Sequence, residues 1–417
     1  MRRTPATFAA ICALLAAFFV VAQAQAATRE FDCASLRARL VRGGGNASGL
    51  LVVDADSGRT ICARRAGRRR ALASNMKLFT TSTALSRLGP QSRIRTSVVA
   101  DGEIDRHGIL HGSLYLVGGG DPTLGVPSFY DRYLGGLGTN LLLLKRQIRE
   151  AGIGAITGRL YADDSVFDRL RGVADSGYAT SPEIGPLSGL SFDSGFSSPS
   201  ATSFAADPAL TAASALASSL RKAAIRLPKP VALGQAPRPS TEIASIESPP
   251  LTRIVNTTDV YSYNFFAEML IKLLGARFGG AGSTAAGASV VAAFARAHGS
   301  GVHAVDGSGL TRSNRASPRE VVKLLRSMQG AAAGEELIQD MALAGREGTV
   351  ADRMHGTAAY GRCRTKTGTI RAVSNLSGYC FNRDGKTMIF SILMNGVRDL
   401  SLAHREQDRI AGEIASY

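Results

Sequence analysis

The stretch Ser74-Asn75-Met76-Lys77 is followed along the chain by Ser262-Tyr263-Asn264 and then by Lys366-Thr367-Gly368. Each is a short pattern that chance often supplies, but here all three occur together in one order. In the first pattern the hydroxyl and the amine are three residues apart, so a helix would place both on one face. A serine hydroxyl is a weak nucleophile unless a neighbouring base takes its proton. The pattern therefore predicts a nucleophilic serine whose base is a lysine.

Ser74 is predicted at the N-terminus of a helix, where free N–H groups and the helix dipole favour developing negative charge. Lys77 can act as a base only if burial and nearby positive charge lower its pKa toward neutrality. Lys366 is the candidate for that charge. For this motif alone, the alternative that Ser74 caps a helix and Lys77 is solvated stays open.

The second pattern lies at the predicted start of an apolar helix. We expect Ser262 to relay a proton between Lys77 and a departing amine, and Asn264 to hydrogen-bond a substrate amide. The alternative is that Ser262 is an ordinary helix N-cap. Glu268, four residues after Asn264, is interpreted as a structural residue rather than a catalytic one.

The third pattern is predicted to lie on a strand. Gly368 would let a ligand approach the backbone closely, which suits an extended peptide docking beside a strand edge. Lys366 and the hydroxyls of Thr367 and Thr369 could then hold a terminal carboxylate. The backbone N–H groups of Ser74 and Thr369 are the candidates for an oxyanion hole. An ordinary surface strand remains the alternative for this motif alone.

The first residues predict a secretory signal peptide spanning residues 1–27. Arg2 and Arg3 precede a short apolar run, and the segment ends in Ala24-Gln25-Ala26-Ala27. The alternative is a membrane anchor, but the run is shorter than a bilayer span requires. Because no later stretch is long enough to cross a bilayer, we expect an exported protein without a transmembrane span.

The charge and composition of the chain indicate which kinds of partner molecule it binds. The net charge of +16 favours anionic partners, among them an anionic wall polymer. Nucleic acid is the least favoured partner, because export separates the chain from it and the sequence contains no Trp for base stacking. The arginines of Arg64-Arg65 and Arg68-Arg69-Arg70 are predicted to form a solvated surface strip.

An even number of cysteines remains after the signal peptide, which in an exported chain predicts two disulfides. The four are Cys33, Cys62, Cys363 and Cys380. A hairpin centred near Arg371-Ala372 would bring Cys363 opposite Cys380, leaving Cys33 to join Cys62. Free buried thiols are the alternative. Cys-x-x-Cys spacing is absent, so a zinc site has no support.

The order of elements predicts an α/β (α+β) fold with an antiparallel sheet flanked by helices. A helix and two strands precede the first motif, and three strands and a helix close the chain, so one sheet would draw on both ends. Residues 28–91 and 244–417 are the predicted catalytic domain. Residues 92–243 are the predicted inserted domain, which accounts for the 188-residue step between Ser74 and Ser262 (262 − 74).

Three further stretches accompany the motifs: Gly118-Gly119-Gly120-Asp121-Pro122-Thr123-Leu124, Ser248-Pro249-Pro250-Leu251 and Asp306-Gly307-Ser308-Gly309-Leu310-Thr311-Arg312. With them, nearly the whole mature chain resembles the S13 peptidases, the D-alanyl-D-alanine carboxypeptidase/endopeptidase type of low-molecular-mass penicillin-binding protein. The resemblance implies a penicilloyl-serine transferase fold with an extra domain between the first two motifs. It also implies peptidoglycan stem peptides as substrates, β-lactams as covalent inhibitors, a periplasmic location, and no metal or organic cofactor.

Other hydrolase classes find less support in the sequence. A Ser-His-Asp hydrolase would need a motif such as Gly-x-Ser-x-Gly, and a zinc peptidase one such as His-Glu-x-x-His, and neither occurs. A serine β-lactamase shares the nucleophile, but the long step between the first two motifs argues against it. A non-catalytic peptidoglycan-binding protein would tolerate the loss of Ser74 or Lys77, and both are present.

Overall fold

The computed structural model describes residues 31–382 and 384–417. The predicted signal peptide, residues 1–27, lies outside them. The α-helices are α1 (Cys33–Gly44), α2 (Met76–Leu88), α3 (Pro127–Tyr133), α4 (Leu144–Glu150), α5 (Pro208–Lys222), α6 (Leu251–Val260), α7 (Asn264–Phe278), α8 (Thr284–Ala297), α9 (Pro318–Gln329), α10 (Gly334–Gln339) and α11 (Leu400–Ser416). Within the part of the chain that is described, none of them is long and apolar enough to cross a membrane.

The β-strands alternate with these helices along the chain. They are β1 (Gly49–Asp54), β2 (Thr60–Arg64), β3 (Arg70–Ala71), β4 (Arg95–Ala100), β5 (Glu103–Ile104), β6 (Ile109–His111), β7 (Leu114–Val117), β8 (Leu124–Gly125), β9 (Thr139–Asn140), β10 (Ala155–Ile156), β11 (Leu160–Asp163), β12 (Ala232–Leu233), β13 (Thr241–Glu247), β14 (Arg315–Ala316), β15 (Ala342–Leu343), β16 (Cys363–Ile370), β17 (Val373–Phe381) and β18 (Thr387–Asn395).

The largest sheet draws its strands from both ends of the chain, as predicted. Its order is β15-β16-β17-β18-β1-β2, and every neighbouring pair is antiparallel. The strand near the N-terminus thus pairs with the last strand of the chain, Leu51 lying opposite Ser391. The third motif falls within β16, in the same sheet.

Side chains of β1 alternate between two cores, because successive residues of a strand point to opposite faces of the sheet. Leu50 and Val52 pack in the core that also holds α1 and α11. Leu51 and Val53 pack in the core formed with helices that include α2, α7 and α9. Helices therefore cover the sheet on both faces, and the helix that follows the first motif belongs to the second core.

Both predicted disulfides are present. Cys363 lies directly opposite Cys380 in the β16–β17 hairpin, with a Cα–Cα distance of 4.1 Å. Cys33 at the start of α1 is bonded to Cys62 in β2, with a Cα–Cα distance of 5.3 Å. The pairing inferred from the hairpin is confirmed.

A second sheet forms within residues 95–247, between the first two motifs. Its order is β12-β11-β7-β4-β13, with both parallel and antiparallel pairs. One face of this sheet packs against α4 and α5 in a core of its own. The domain limits at residues 92 and 243 stay a prediction.

The prediction of a solvated arginine strip is wrong for one of its residues, Arg70. Arg70 is buried, because its guanidinium group donates to the carbonyl oxygens of Ala47, Arg65 and Arg68. Arg69 forms an ion pair with Glu320 on α9. These two arginines therefore hold a loop in place, and Arg65, Arg68 and Arg69 are exposed.

Candidate active site

Ser74 lies in a single 3-10 turn, Ala73–Asn75, which leads directly into α2. Its neighbour Ala73 has a left-handed backbone, with φ at 44°. Such a conformation costs of order 1–3 kcal/mol and is found most often at functional sites. The turn presents a half-buried Ser74 side chain at the N-terminal end of the helix, as the sequence predicts.

The turn is tied to the sheet by side-chain amides. Asn75 Nδ2 donates to the carbonyl oxygen of Lys366 (3.0 Å), and Asn75 Oδ1 accepts from Ser377 Oγ (2.7 Å). Asn375 Nδ2 donates to the carbonyl oxygens of Ala71 (3.0 Å) and Leu72 (2.7 Å). These bonds connect the turn that carries Ser74 to β16 and β17, about 300 residues away in the sequence.

Lys77 lies within hydrogen-bonding distance of the predicted nucleophile. Its Nζ is 3.0 Å from Ser74 Oγ, 2.7 Å from Asn264 Oδ1 and 2.8 Å from the carbonyl oxygen of Ser308. Three acceptors thus surround the amine, and the side chain is fully buried. Burial, reinforced by the positive charge of Lys366, lowers the pKa of Lys77 from its ordinary value to about 7. A neutral amine is therefore accessible near neutral pH.

The loop after α8 holds one of those acceptors in place. Asp306 accepts hydrogen bonds from the backbone N–H groups of Gly309 (2.7 Å) and Thr311 (2.8 Å) and from Asn314 Nδ2 (2.7 Å). Glu268 accepts from the N–H of Ser308 (2.7 Å). Glu268 has the structural role that the sequence analysis gave it, because it fixes the loop that carries the Ser308 carbonyl.

The second motif lies at the start of a helix, as predicted, because Asn264 is the first residue of α7. Ser262 follows α6 and precedes α7, with a left-handed backbone at φ 59°. Asn264 begins α7, accepts from Lys77 through Oδ1, and donates through Nδ2 to the carbonyl oxygen of Glu183 (3.2 Å). Among the described residues, no hydrogen bond to the Ser262 side chain is found, so its role as a relay stays a prediction.

The third motif lies on β16, as predicted, and touches the serine turn. A Cβ on Gly368 would lie 2.9 Å from the carbonyl oxygen of Leu72 and 3.1 Å from the backbone nitrogen of Ser74. Only glycine allows this approach without displacing the turn. Thr367 donates its hydroxyl to Thr349 Oγ1 (2.8 Å), while Thr369 is exposed.

Lys366 is the second buried amine of the site. Burial lowers its pKa to about 8, and the carboxylate of Asp259 opposes this change. Its Nζ donates to the carbonyl oxygen of Thr367 (3.2 Å). A positive Lys366 beside a neutral Lys77 is the charge arrangement that the sequence analysis required.

The outer edge of β16 is available along the motif. β15 pairs with β16 at Arg364 and Thr365, and within the described residues no strand pairs with that edge at residues 366–370. An extended peptide could therefore align there through main-chain hydrogen bonds, next to the serine turn.

Several residues that position the site were missed by the sequence analysis. Asn375 and Ser377 lie within a buried strand, where asparagine is disfavoured, and that exception was the available signal. Asn314 carried no local pattern, although its side chain bonds within its own loop, donating to Asp306 Oδ1 (2.7 Å) and to the carbonyl oxygen of Thr311 (2.9 Å).

The chain is similar to known proteins in both sequence and structure. The family model of the D-Ala-D-Ala carboxypeptidase 3 (S13) family matches residues 34–207 and 194–416. A D-alanyl-D-alanine carboxypeptidase of Actinomadura sp. (strain R39) is 30% identical over 89% of this chain and 82% of its own length. Carboxypeptidase Rv3627c of Mycobacterium tuberculosis is 28% identical over 78% of this chain and 70% of its own length.

Solved structures share the fold. Penicillin-binding protein 4 from Haemophilus influenzae aligns with a TM-score of 0.77 and 21% identity, covering 93% of this chain and all of that one. The Bd0816 predatory endopeptidase from Bdellovibrio bacteriovorus aligns with a TM-score of 0.55 and 21% identity, covering 88% of this chain and 92% of that one. The predicted fold class is confirmed.

The matches with the family and its relatives cover both ends of the chain and the segment between the first two motifs. They confirm the predicted enzyme class, a serine peptidase, and the resemblance that the three motifs carried. The chain belongs to the D-Ala-D-Ala carboxypeptidase 3 (S13) family.

Proposed function

We propose that the chain is a serine-type D-Ala-D-Ala carboxypeptidase, and a DD-endopeptidase where stem peptides are cross-linked, acting on peptidoglycan through an acyl-enzyme. The observation that carries this proposal is the buried Lys77 amine, 3.0 Å from Ser74 Oγ, with a pKa lowered to about 7. A base with a pKa near the working pH is the most effective one. Family membership supplies the substrate class.

Acylation begins when Lys77 takes the proton of Ser74 Oγ. The oxygen then attacks the carbonyl carbon of the penultimate D-alanine, and a tetrahedral oxyanion forms. The backbone N–H groups of Ser74 and Thr369 are the proposed donors to that oxyanion, which preorganised donors stabilise strongly. The close contact of Gly368 with the serine turn supports this role, since it brings the two backbones together.

The C–N bond breaks next, and the leaving amine needs a proton. We assign its delivery to Lys77 through the hydroxyl of Ser262, which lies between α6 and α7 near Asn264. Water then attacks the ester carbonyl while Lys77 accepts a proton from it. The acyl C–O bond breaks, and Ser74 recovers its proton from Lys77.

Lys366, Thr367 and Thr369 are the proposed site for the terminal carboxylate, and Asn264 is the proposed contact for the substrate amide. A buried ammonium group gives a strong, charge-assisted bond to a carboxylate. The unpaired edge of β16 supports an extended substrate in this position. β-Lactams carry a carboxylate beside a strained amide, and we propose that they acylate Ser74 in the same way.

The test is labelling with a fluorescent penicillin, followed by a proteolytic digest to find the labelled peptide. We expect a single label on the peptide containing Ser74 and none in Ser74→Ala. Equal labelling of Ser74→Ala would refute the assignment. Release of the label within seconds would favour the alternative of a β-lactamase, whereas a lasting ester and cleavage of an acyl-D-Ala-D-Ala peptide support a DD-peptidase.

We also propose export to the periplasm with removal of residues 1–27. Two disulfides support it, because such bonds persist in oxidising compartments and are rare in the cytosol. Fractionation of expressing cells, with mass spectrometry of the mature N-terminus, tests this. A full-length chain retained in the cytosol would contradict it.

Residues 92–243 are proposed as a domain inserted into a catalytic domain of residues 28–91 and 244–417. The separate core around α4, α5 and the five-stranded sheet supports this division. A limited-proteolysis experiment with cleavage first near residues 92 and 243 is the expected outcome. Cleavage confined to other loops would argue against these limits.

A further inference from the structure

Asp259 is a buried carboxylate that the proposed mechanism does not use. It lies in the last turn of α6, three residues before Ser262, and its side chain has no exposed surface. Neither carboxylate oxygen has a hydrogen-bond partner among the residues that the structure describes. The nearby hydroxyl of Thr81 donates to the carbonyl oxygen of Lys77 instead (2.7 Å).

A buried carboxylate without hydrogen bonds is costly, and such a group in a native protein calls for an explanation. Its surroundings provide one. Helix α6 packs against α2, which carries Lys77. The carbonyl oxygen of Val260, next in sequence, touches Gly348, and the adjacent Thr349 accepts from Thr367. These contacts place the C-terminal end of α6, which carries Asp259, beside both lysine-bearing elements of the site.

The charged groups that interact electrostatically with Asp259 are Lys366 on β16, Lys77 on α2 and Asp340 just after α10. Burial raises the pKa of Asp259 to about 6, and the charges of Lys366 and Lys77 limit the rise. Burial raises the pKa of Asp340 further, to about 8, and the charge of Asp259 adds to it. Near neutral pH, Asp259 is therefore ionised and Asp340 protonated.

We propose that Asp259 is a positioning residue for the carboxylate-binding lysine, whose negative charge keeps Lys366 protonated beside a neutral Lys77. The inference rests on the proposed function, since it concerns how Lys366 binds a substrate carboxylate. Without a counter-charge, two buried ammonium groups disfavour one another and burial disfavours both. Asp259 acts on Lys366 through charge and has no contact with substrate.

Removal of the charge has a predictable sign. Asp259 favours the protonated form of Lys366, so Asp259→Asn should lower the pKa of that lysine. Activity toward a carboxylate-bearing substrate is lost as pH rises through this pKa. The alkaline limb of the profile of kcat/KM against pH therefore moves to lower pH in the variant. The acid limb, set by Lys77, moves less, because Lys77 loses an attraction to Asp259 and also some repulsion from Lys366.

The experiment measures kcat/KM from pH 5 to 10 for an acyl-D-Ala-D-Ala peptide and for its C-terminal amide. Wild type and the charge-free variants Asp259→Asn and Asp259→Leu are compared with Asp340→Asn as the matched control. We expect the alkaline limb of the acid substrate to fall by about one pH unit in both Asp259 variants, a loss of about tenfold at pH 9. The amide, which has no carboxylate for Lys366, should show little of this loss.

Asp340→Asn should keep the wild-type profile, because asparagine resembles the protonated acid. An unchanged alkaline limb in both Asp259 variants would overturn the proposal, as would an equal shift in Asp340→Asn. A limb position does not depend on how much protein is folded, and penicillin titration counts the active sites. If wild type itself fails to label at Ser74 or to cleave the peptide, the proposed function is wrong. An active wild type with an unchanged alkaline limb in the Asp259 variants contradicts only the role of Asp259.

Discussion

Replacing Gly368 with alanine is expected to slow acylation without unfolding the protein. The added Cβ would lie 2.9 Å from the carbonyl oxygen of Leu72, 3.0 Å from the nitrogen of Asn75 and 3.1 Å from the nitrogen of Ser74. An ordinary van der Waals contact begins near 3.4 Å, so the serine turn and β16 must separate by about 0.3 to 0.5 Å. All three neighbours are backbone atoms, and none of them can rotate out of the way.

The magnitude follows from this displacement. A reacting group that is misplaced by 1 Å loses about 100-fold in rate, so half that distance corresponds to a loss of about tenfold. Overpacking at a buried position costs about 1–3 kcal/mol of folding free energy. We therefore expect about a tenfold lower second-order rate constant for acylation, with a modest fall in the unfolding midpoint.

The assay is the rate of labelling by a fluorescent penicillin across a range of concentrations, with thermal unfolding measured on the same samples. Gly330→Ala is the matched control, because Gly330 has a negative φ of −90° and a Cβ there meets nothing within 4 Å. Acylation of Gly368→Ala within twofold of wild type would refute the reasoning. So would an equal loss in Gly330→Ala.

Three other changes have defined outcomes. Lys77→Gln should reduce the rate of acylation by about 10³-fold. In wild type the rate of acylation should fall as pH drops below about 7, because the base must be neutral. Stopped-flow labelling with the fluorescent penicillin measures both effects. Asn75→Ala removes the bonds to the Lys366 carbonyl and to Ser377, so we expect a loss of about 2 kcal/mol in urea unfolding. Burial and the charge of Asp306 raise the pKa of Glu268 to about 8 from an ordinary 4.5. The stability that this protonated carboxyl gives is complete below pH 4.5 and is lost as pH rises through 8. The unfolding midpoint of Glu268→Gln should therefore fall less between pH 5 and pH 9 than the midpoint of wild type.

The outline of the fold could be predicted from sequence where the signal is local. Strand alternation and turn residues predicted the hairpin that places Cys363 opposite Cys380, and the register confirms it. The position of the third motif on a strand was predicted for the same reason. The helix start at the second motif was predicted as well, and α7 begins at Asn264.

By itself, the sequence determined that Ser74 and Lys77 lie three residues apart at the start of a helix and that the third motif lies on a strand. A spacing of three residues is enough to bring the side chains of Ser74 and Lys77 together at the start of a helix. The alternation of side chains along a strand is enough to assign the residues of β16 to its two faces. Only the tertiary structure decided the surroundings of the Lys77 amine, on which its proposed role as a base depends. Its amine is buried between Asn264 and the Ser308 carbonyl, which lie 187 and 231 residues away along the chain. Desolvation and the balance of charges among Lys366, Asp259 and Lys77 arise from packing, and no local pattern encodes them.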